Sequence, residues 1–307
     1  MATTATTPVT DPRTTSPIAT EPPMTATIAP TNTTTPAAAA VSTIATGTTQ
    51  AGALRRTAWA VRSEWIKFWT VRSTSVTLIA ASLVTIAFGM IFSAVADSGE
   101  AAGPAAFLTN PVDVALGGIG LAEMVIGVVG VLVVAGEYST GLIRTTFAAV
   151  GSRTRVILSK AAVVGAAVFA IGTAGTVGAI VLGQAVYAGN EATVALVEVL
   201  DVVFGTGVYL TGIALIGIAL GFILRSTAGG IGTLVGGVFI GPNLLNLLPD
   251  SITDVFLKYL PSEAGSAMMS QVSTPDQLST GAAYGVFAAW VIGLLGVAAI
   301  LVQRRDA

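Results

Sequence analysis

Along most of this chain, long apolar stretches alternate with short polar ones. Crossing ~30 Å of hydrocarbon takes ~20 mainly apolar residues at ~1.5 Å of helical rise each. Six stretches reach that length, at about 74–96, 114–135, 161–188, 202–224, 226–248 and 281–302. Five hold no charged residue, and the second holds only Glu123. Little more than Leu224, Arg225 and Ser226 separates the fourth from the fifth, which predicts a tight helical hairpin. Dyad alternation of the kind barrel strands need is absent. The pattern predicts an all-α integral membrane protein of six transmembrane helices over 74–307.

A different periodicity precedes the first span. Over 54–73, Leu54, Ala58, Val61, Trp65 and Phe68 recur at helical spacing, with Arg55, Arg56, Ser63 and Lys67 opposite. This predicts an N-terminal interfacial amphipathic helix lying on an anionic leaflet. Arg55, Arg56, Trp59, Trp65, Lys67 and Trp69 then serve as headgroup anchors, as do Arg153, Arg155 and Lys160 where the third span opens. Residues 1–53 read as a disordered Thr/Ala/Pro-rich cytoplasmic tail or an overlong reading frame. Eighteen Thr and seven Pro among the first 50 positions leave too little apolar surface to offset the entropy of ordering.

Charge fixes the expected orientation. Thirteen of the 14 Lys and Arg residues fall in the tail or in alternate connections, before the first span, between the second and third, between the fourth and fifth, and after the sixth. Only Lys258 lies on the other side, among acidic residues such as Asp97, Asp113, Asp201 and Glu263. By the positive-inside rule both termini are cytoplasmic.

Composition narrows the chemistry. Charged residues make up 10% of the chain, against ~25% in a soluble domain. With neither His nor Cys, the chain has no imidazole or thiolate for metal binding or nucleophilic catalysis. There is no phosphate-binding loop of the G-x-x-x-x-G-K-[S/T] type either. The reading is a non-enzyme that needs no cofactor and binds no nucleic acid.

The loop between the second and third spans carries the most specific pattern. It runs Gly136-Glu137-Tyr138-Ser139-Thr140-Gly141-Leu142-Ile143-Arg144-Thr145-Thr146-Phe147, followed by Ser152-Arg153 and Lys160. An acidic-aromatic turn, then Gly-x-Ile-Arg-x-Thr-apolar, then a Ser-Arg pair and a Lys, resembles the type-two ABC exporter permease family, with Leu142 where the family usually has Thr. The resemblance covers about 55–305. It implies a permease subunit in a plasma membrane, in a bacterium, working as a homodimer or beside a paralogue with a separate ATPase subunit. It further implies that this loop is a coupling helix on the ATPase, through Glu137, Tyr138, Gly141, Leu142, Ile143, Arg144, Thr146 and Phe147. A non-transporting scaffold or a channel-like protein is the alternative.

Four candidates face a translocation route. Glu123 is either a cation or proton contact or a neutral acid bonded to a neighbour. Pro242, Asn243 and Asn246 mark a bend in the fifth span where two amides can line a cavity. Beyond it, Ile252, Val255, Phe256, Tyr259 and Leu260 form an apolar stripe that predicts an outer helix. Four small-xxx-small pairs, Gly217/Gly221, Gly232/Gly236, Gly237/Gly241 and Gly281/Gly285, predict close helix packing within the bundle.

Overall fold

The computed structural model describes residues 55–98, 110–186, 195–247, 249, 253, 256–270 and 277–305. The tail reading of 1–53, with Leu54, Ile252 and Val255, lies outside the described residues. Helix α1 covers 55–70 and passes through a break at Val71 into α2 (Arg72–Asp97). There follow α3 (Pro111–Ala115), α4 (Ile119–Ser139), α5 (Leu142–Val150), α6 (Arg153–Val186) and α7 (Leu200–Leu224). The chain then forms α8 (Thr227–Leu245), α9 (Pro261–Met269) and α10 (Thr280–Arg304). Among the described residues there is no strand. Helices α2, α4, α6, α7, α8 and α10 are each long and apolar enough to cross a membrane.

The span boundaries shift for local reasons. The second span begins at Ile119 rather than 114, because Pro111 and the Asn110 cap, whose side chain accepts from the Val112 amide at 2.9 Å, start a separate five-residue helix. Helix α6 starts at Arg153, eight residues ahead of its apolar stretch. At ~1.5 Å per residue its 34 residues run ~51 Å, well beyond the ~30 Å hydrocarbon layer. The α7–α8 hairpin is as tight as expected. Arg225 takes a left-handed φ of 53°, and the Ser226 hydroxyl accepts from the Gly229 amide at 3.3 Å. Within α8, Pro242 cannot donate to the carbonyl four residues back. The strain is taken up as a π-helical stretch over Val235–Ile240.

Helix α7 is the centre of the bundle, packed by α4, α6, α9 and α10. Some 72% of its most apolar window is buried, against 17% for α10. Its contact with α4 is backbone against backbone. A Cβ on Gly217 would strike the Gly127 carbonyl, and one on Gly130 would strike that of Ala214. The Gly217/Gly221 pair thus packs as expected. The other three pairs correct the expectation: Gly232, Gly236, Gly237, Gly281 and Gly285 face open space, and Gly241 meets only its own helix. A second apolar cluster, joining α3 to α6 and α7 through Val112, Ala115, Ile180 and Val202, closes the end remote from α5.

Helix α1 turns a mixed face to the bundle. Its buried positions are Ala60, Glu64 and Phe68, while Trp65 and Ala58 are exposed. Lipid covers apolar side chains as well as protein does, so Trp65 stays outward with Arg55, Arg56 and Ser63, while the Glu64 carboxylate turns in beside Ala60 and Phe68.

Substituting Gly217 by Val is expected to overpack the α4–α7 contact by at least ~1–3 kcal/mol, lowering the thermal midpoint of the detergent-solubilised protein. The same change at Gly285, which meets nothing within 4 Å, leaves it in place. A temperature series read by size-exclusion chromatography of both variants checks this.

Candidate functional site

The α4–α6 connection is shaped by two glycines. Gly141 (φ 74°) and Gly151 (φ 69°) sit in the left-handed region and isolate α5 as a nine-residue helix. Its pattern splits it in two. Ile143 and Phe147, four apart, are buried in the main core, whereas Leu142, Arg144, Thr145 and Ala148 are exposed. The seat of α5 is therefore Ile143 and Phe147, and its outer face is Leu142 and Arg144. That corrects the expectation that Leu142, Ile143 and Phe147 all meet the partner, since two of them are spent on the seat.

Beneath α5 lies a cluster that joins α1, α4 and α6. Lys160 Nζ donates to Glu64 Oε2 at 2.9 Å and to Glu137 Oε1 at 2.7 Å. Lys67 Nζ donates to Glu137 Oε1 at 2.8 Å, to Glu64 Oε1 at 3.2 Å and to Thr146 Oγ1 of α5 at 3.4 Å. Side-chain exposure is 1% for Lys160, 7% for Glu64, 12% for Glu137 and 43% for Lys67. Two positive and two negative groups cancel formally, which is what makes their removal from water tolerable. Burial alone would depress the Lys67 ammonium, but hydrogen bonding to Glu137 and the attraction of Glu64 and Glu137 outweigh it. The net effect raises Lys67 above its ordinary value.

Around this cluster, arginines close helix ends. Arg153 Nη1 donates to the carbonyls of Val302 (2.7 Å) and Arg305 (2.9 Å) at the end of α10, and its guanidinium lies 5.9 Å from the Phe147 ring. Arg305 Nη1 donates to the Ile223 carbonyl at the end of α7 at 3.1 Å. Arg225 stacks over Tyr138 at 5.2 Å, and Arg155 Nε donates to Thr57 Oγ1 at 3.1 Å. Cations at these carboxyl-terminal ends meet the negative pole of each helix. The connections carrying most of the Lys and Arg residues therefore converge at one end of the bundle.

Several sequence expectations change accordingly. Lys160 is enclosed in the cluster, so it is no headgroup anchor, and Lys67 is tied to the same carboxylates. Arg153 and Arg155 are half-buried and bound to protein groups. Trp59, Trp65 and Trp69 remain exposed, as do Arg55 and Arg56. Glu137 faces inward and Tyr138 lies under Arg225, so neither stands on the outer face of α5. Thr146 is half-buried, and Gly141 is the left-handed hinge. Glu123 is bonded to the Tyr209 hydroxyl, whose ring stacks on Phe287 at 5.4 Å. Pro242 is buried; Asn243 is exposed and donates Nδ2 to the Phe239 carbonyl at 2.7 Å, and Asn246 is exposed. Neither the groove lined by Glu137 nor the one lined by Arg55 includes any of these three or Glu123.

Glu64 and Tyr209 were missed in the sequence. The signal for Glu64 was its place between Ala60 and Phe68 on a four-residue repeat, three ahead of Lys67. Tyr209 stands as the one phenol in an otherwise apolar span.

Lys160→Met leaves two buried carboxylates short of a cation and is expected to cost ~3–5 kcal/mol. Adding Glu64→Gln should recover part of that loss, giving a coupling measurable by thermal melts of both single variants and the double. Because Lys67 is raised in the folded state, its contribution is complete below pH 10.5 and is lost as pH climbs through the higher folded value. Alkaline melts should show this loss in wild type and not in Lys67→Met.

No protein-family profile and no curated protein sequence matches this chain; its activity has to be read from its own residues.

Proposed function

We propose that this chain is the transmembrane permease subunit of an ATP-driven exporter similar to the type-two ABC permeases, with both termini cytoplasmic, in a bacterial plasma membrane. The observation that supports it most is α5. A short helix is held between two left-handed glycines, seated by Ile143 and Phe147, and presents Leu142, Arg144 and Thr145 outward at the basic end. An apolar point beside a guanidinium suits a partner groove with an acidic rim. A separate ATPase subunit is that partner. Its nucleotide-driven movement displaces α5, which reaches α1 through Thr146 and Lys67, and α10 through Phe147 and Arg153.

Two such chains, or this chain with a paralogue, complete the translocation route. Helices α8 and α10 leave most of their surface uncovered, and their outward glycines allow a second six-span unit to approach closely. Asn243, exposed on α8, and Asn246, exposed just after it, then face that partner and the route between them. Glu123 with Tyr209 is a polar station inside each bundle.

The test separates the outer face of α5 from its seat. Leu142→Asp with Arg144→Glu should abolish co-purification of a nucleotide-binding subunit from membranes while the thermal midpoint holds. Phe147→Ala should lower the midpoint itself, by ~3–5 kcal/mol in stability. Undiminished co-purification of the Leu142/Arg144 variant would remove the docking role of α5.

A further inference from the structure

One carboxylate oxygen in the ion-pair cluster is left over. Glu137 Oε1 accepts from both Lys67 and Lys160, whereas Glu137 Oε2 is buried and meets no donor. Lys67 cannot turn to it without leaving another acceptor, since its three donations go to Glu64, Glu137 and Thr146. A buried anionic oxygen without a donor costs ~1–3 kcal/mol or more, so it marks a place where a donor from outside the chain belongs.

That oxygen belongs to a residue lining a groove of about 710 Å³ between α1, α2, α4 and α6. The groove is two-sided in character. One end carries Glu64, Lys67, Glu137 and Lys160, and the rest is walled by apolar side chains such as Phe68, Val129 and Val163. Leu132 and Met124, on its wall, are exposed, so the groove opens sideways from the bundle. A polar end at the basic side of the molecule and an apolar run along a span match the shape of a lipid, and 710 Å³ is within the ~300–1,000 Å³ range of small-molecule sites.

Charge arithmetic selects the head. The four side chains sum to zero, so an anionic lipid would add a net negative charge beside two carboxylates. A choline head is zwitterionic but offers no N–H to Glu137 Oε2. A primary ammonium next to a phosphate adds no net charge and supplies the missing donor. We propose that this groove is a binding site for a phospholipid with a primary-ammonium head, of the phosphatidylethanolamine type, its ammonium donating to the Glu137 carboxyl, which turns Oε2 toward the groove on binding, and one acyl chain lying along α4. The site is independent of whether the chain exports anything.

Native mass spectrometry of the full-length protein, exchanged into micelles doped with matched-chain phosphatidylethanolamine, phosphatidylcholine or phosphatidylglycerol, tests it. Phosphatidylethanolamine is expected to bind about tenfold more tightly than phosphatidylcholine, the worth of one charge-assisted hydrogen bond. Glu137→Gln should shrink that preference at least fivefold, on the same principle. Because Glu137→Gln also disturbs the cluster, Leu132→Trp provides a second arm, filling the groove from its exposed wall and reducing binding with the melting temperature unchanged. Equal binding of phosphatidylethanolamine and phosphatidylcholine would overturn the proposal, leaving water as the donor. So would a preference that survives both substitutions, or a dimer cross-linked through position 132, which would mean that a second copy covers the groove.

Discussion

One ammonium group and two carboxylates drawn out of water between three helices, with a second ammonium at their edge, govern how the basic end of this protein is built. Each of the four is expensive to bury alone, and each is tolerable only with the other three in place. Lys160 illustrates the constraint best. At 1% side-chain exposure it has no route to solvent, so α1 must stay where Glu64 can reach it and α4 where Glu137 can. Sliding α1 by one residue would swing Glu64 by ~100° about its axis and strand the cation. The cluster therefore sets both the position and the rotation of α1, which hydrophobicity in a bilayer would leave undetermined.

The same absence of an apolar driving force explains the rest of the packing. Lipid tails wet a Leu or a Val as well as another helix does, so association rests on close van der Waals fit and on polar groups with nowhere else to go. Helix α7 meets the first condition through Gly217 and its approach to the Gly127 carbonyl. The carboxyl-terminal ends of α7 and α10 meet the second, through Arg305 and Arg153 on their terminal carbonyls. Where neither operates, as along the outward glycines of α8 and α10, the surface stays open.

This division also explains how much could be read from the sequence. The six spans were legible because hydropathy and length are properties of the residues alone, and hydrocarbon thickness supplies the ruler. The α7–α8 hairpin was legible because only two residues join the helices. The inner face of α1 was not: nothing local shows that Glu64, alone among the charged residues of that helix, turns in beside Ala60 and Phe68. Lys160 looked like a headgroup anchor because a basic residue at the mouth of an apolar stretch ordinarily snorkels; nothing local distinguishes it from one that meets Glu64, 96 residues earlier, and Glu137. Likewise Leu142, Ile143, Thr146 and Phe147 are equivalent as apolar helix positions. Only the neighbours of α5 decide that the pair spaced by four goes in and Leu142 goes out.

Helix α5 and the cluster share members, and that sharing constrains any motion at this end. Thr146 touches Lys67, and Phe147 lies under Arg153, which holds the end of α10. A displacement of α5 along its own axis would lengthen the Thr146 contact first, at 3.4 Å the weakest link in the set, and would leave the Lys160 pairs intact. A tilt that lifted Phe147 would also disturb Arg153, and through it the final turn of α10. Pushing and tilting thus reach different helices, the first acting on α1 and the second on α10. In the proposed exporter a docked ATPase would act on the bundle through whichever of these movements its groove imposes, and the glycine hinges at 141 and 151 permit both without unwinding the nine residues between them.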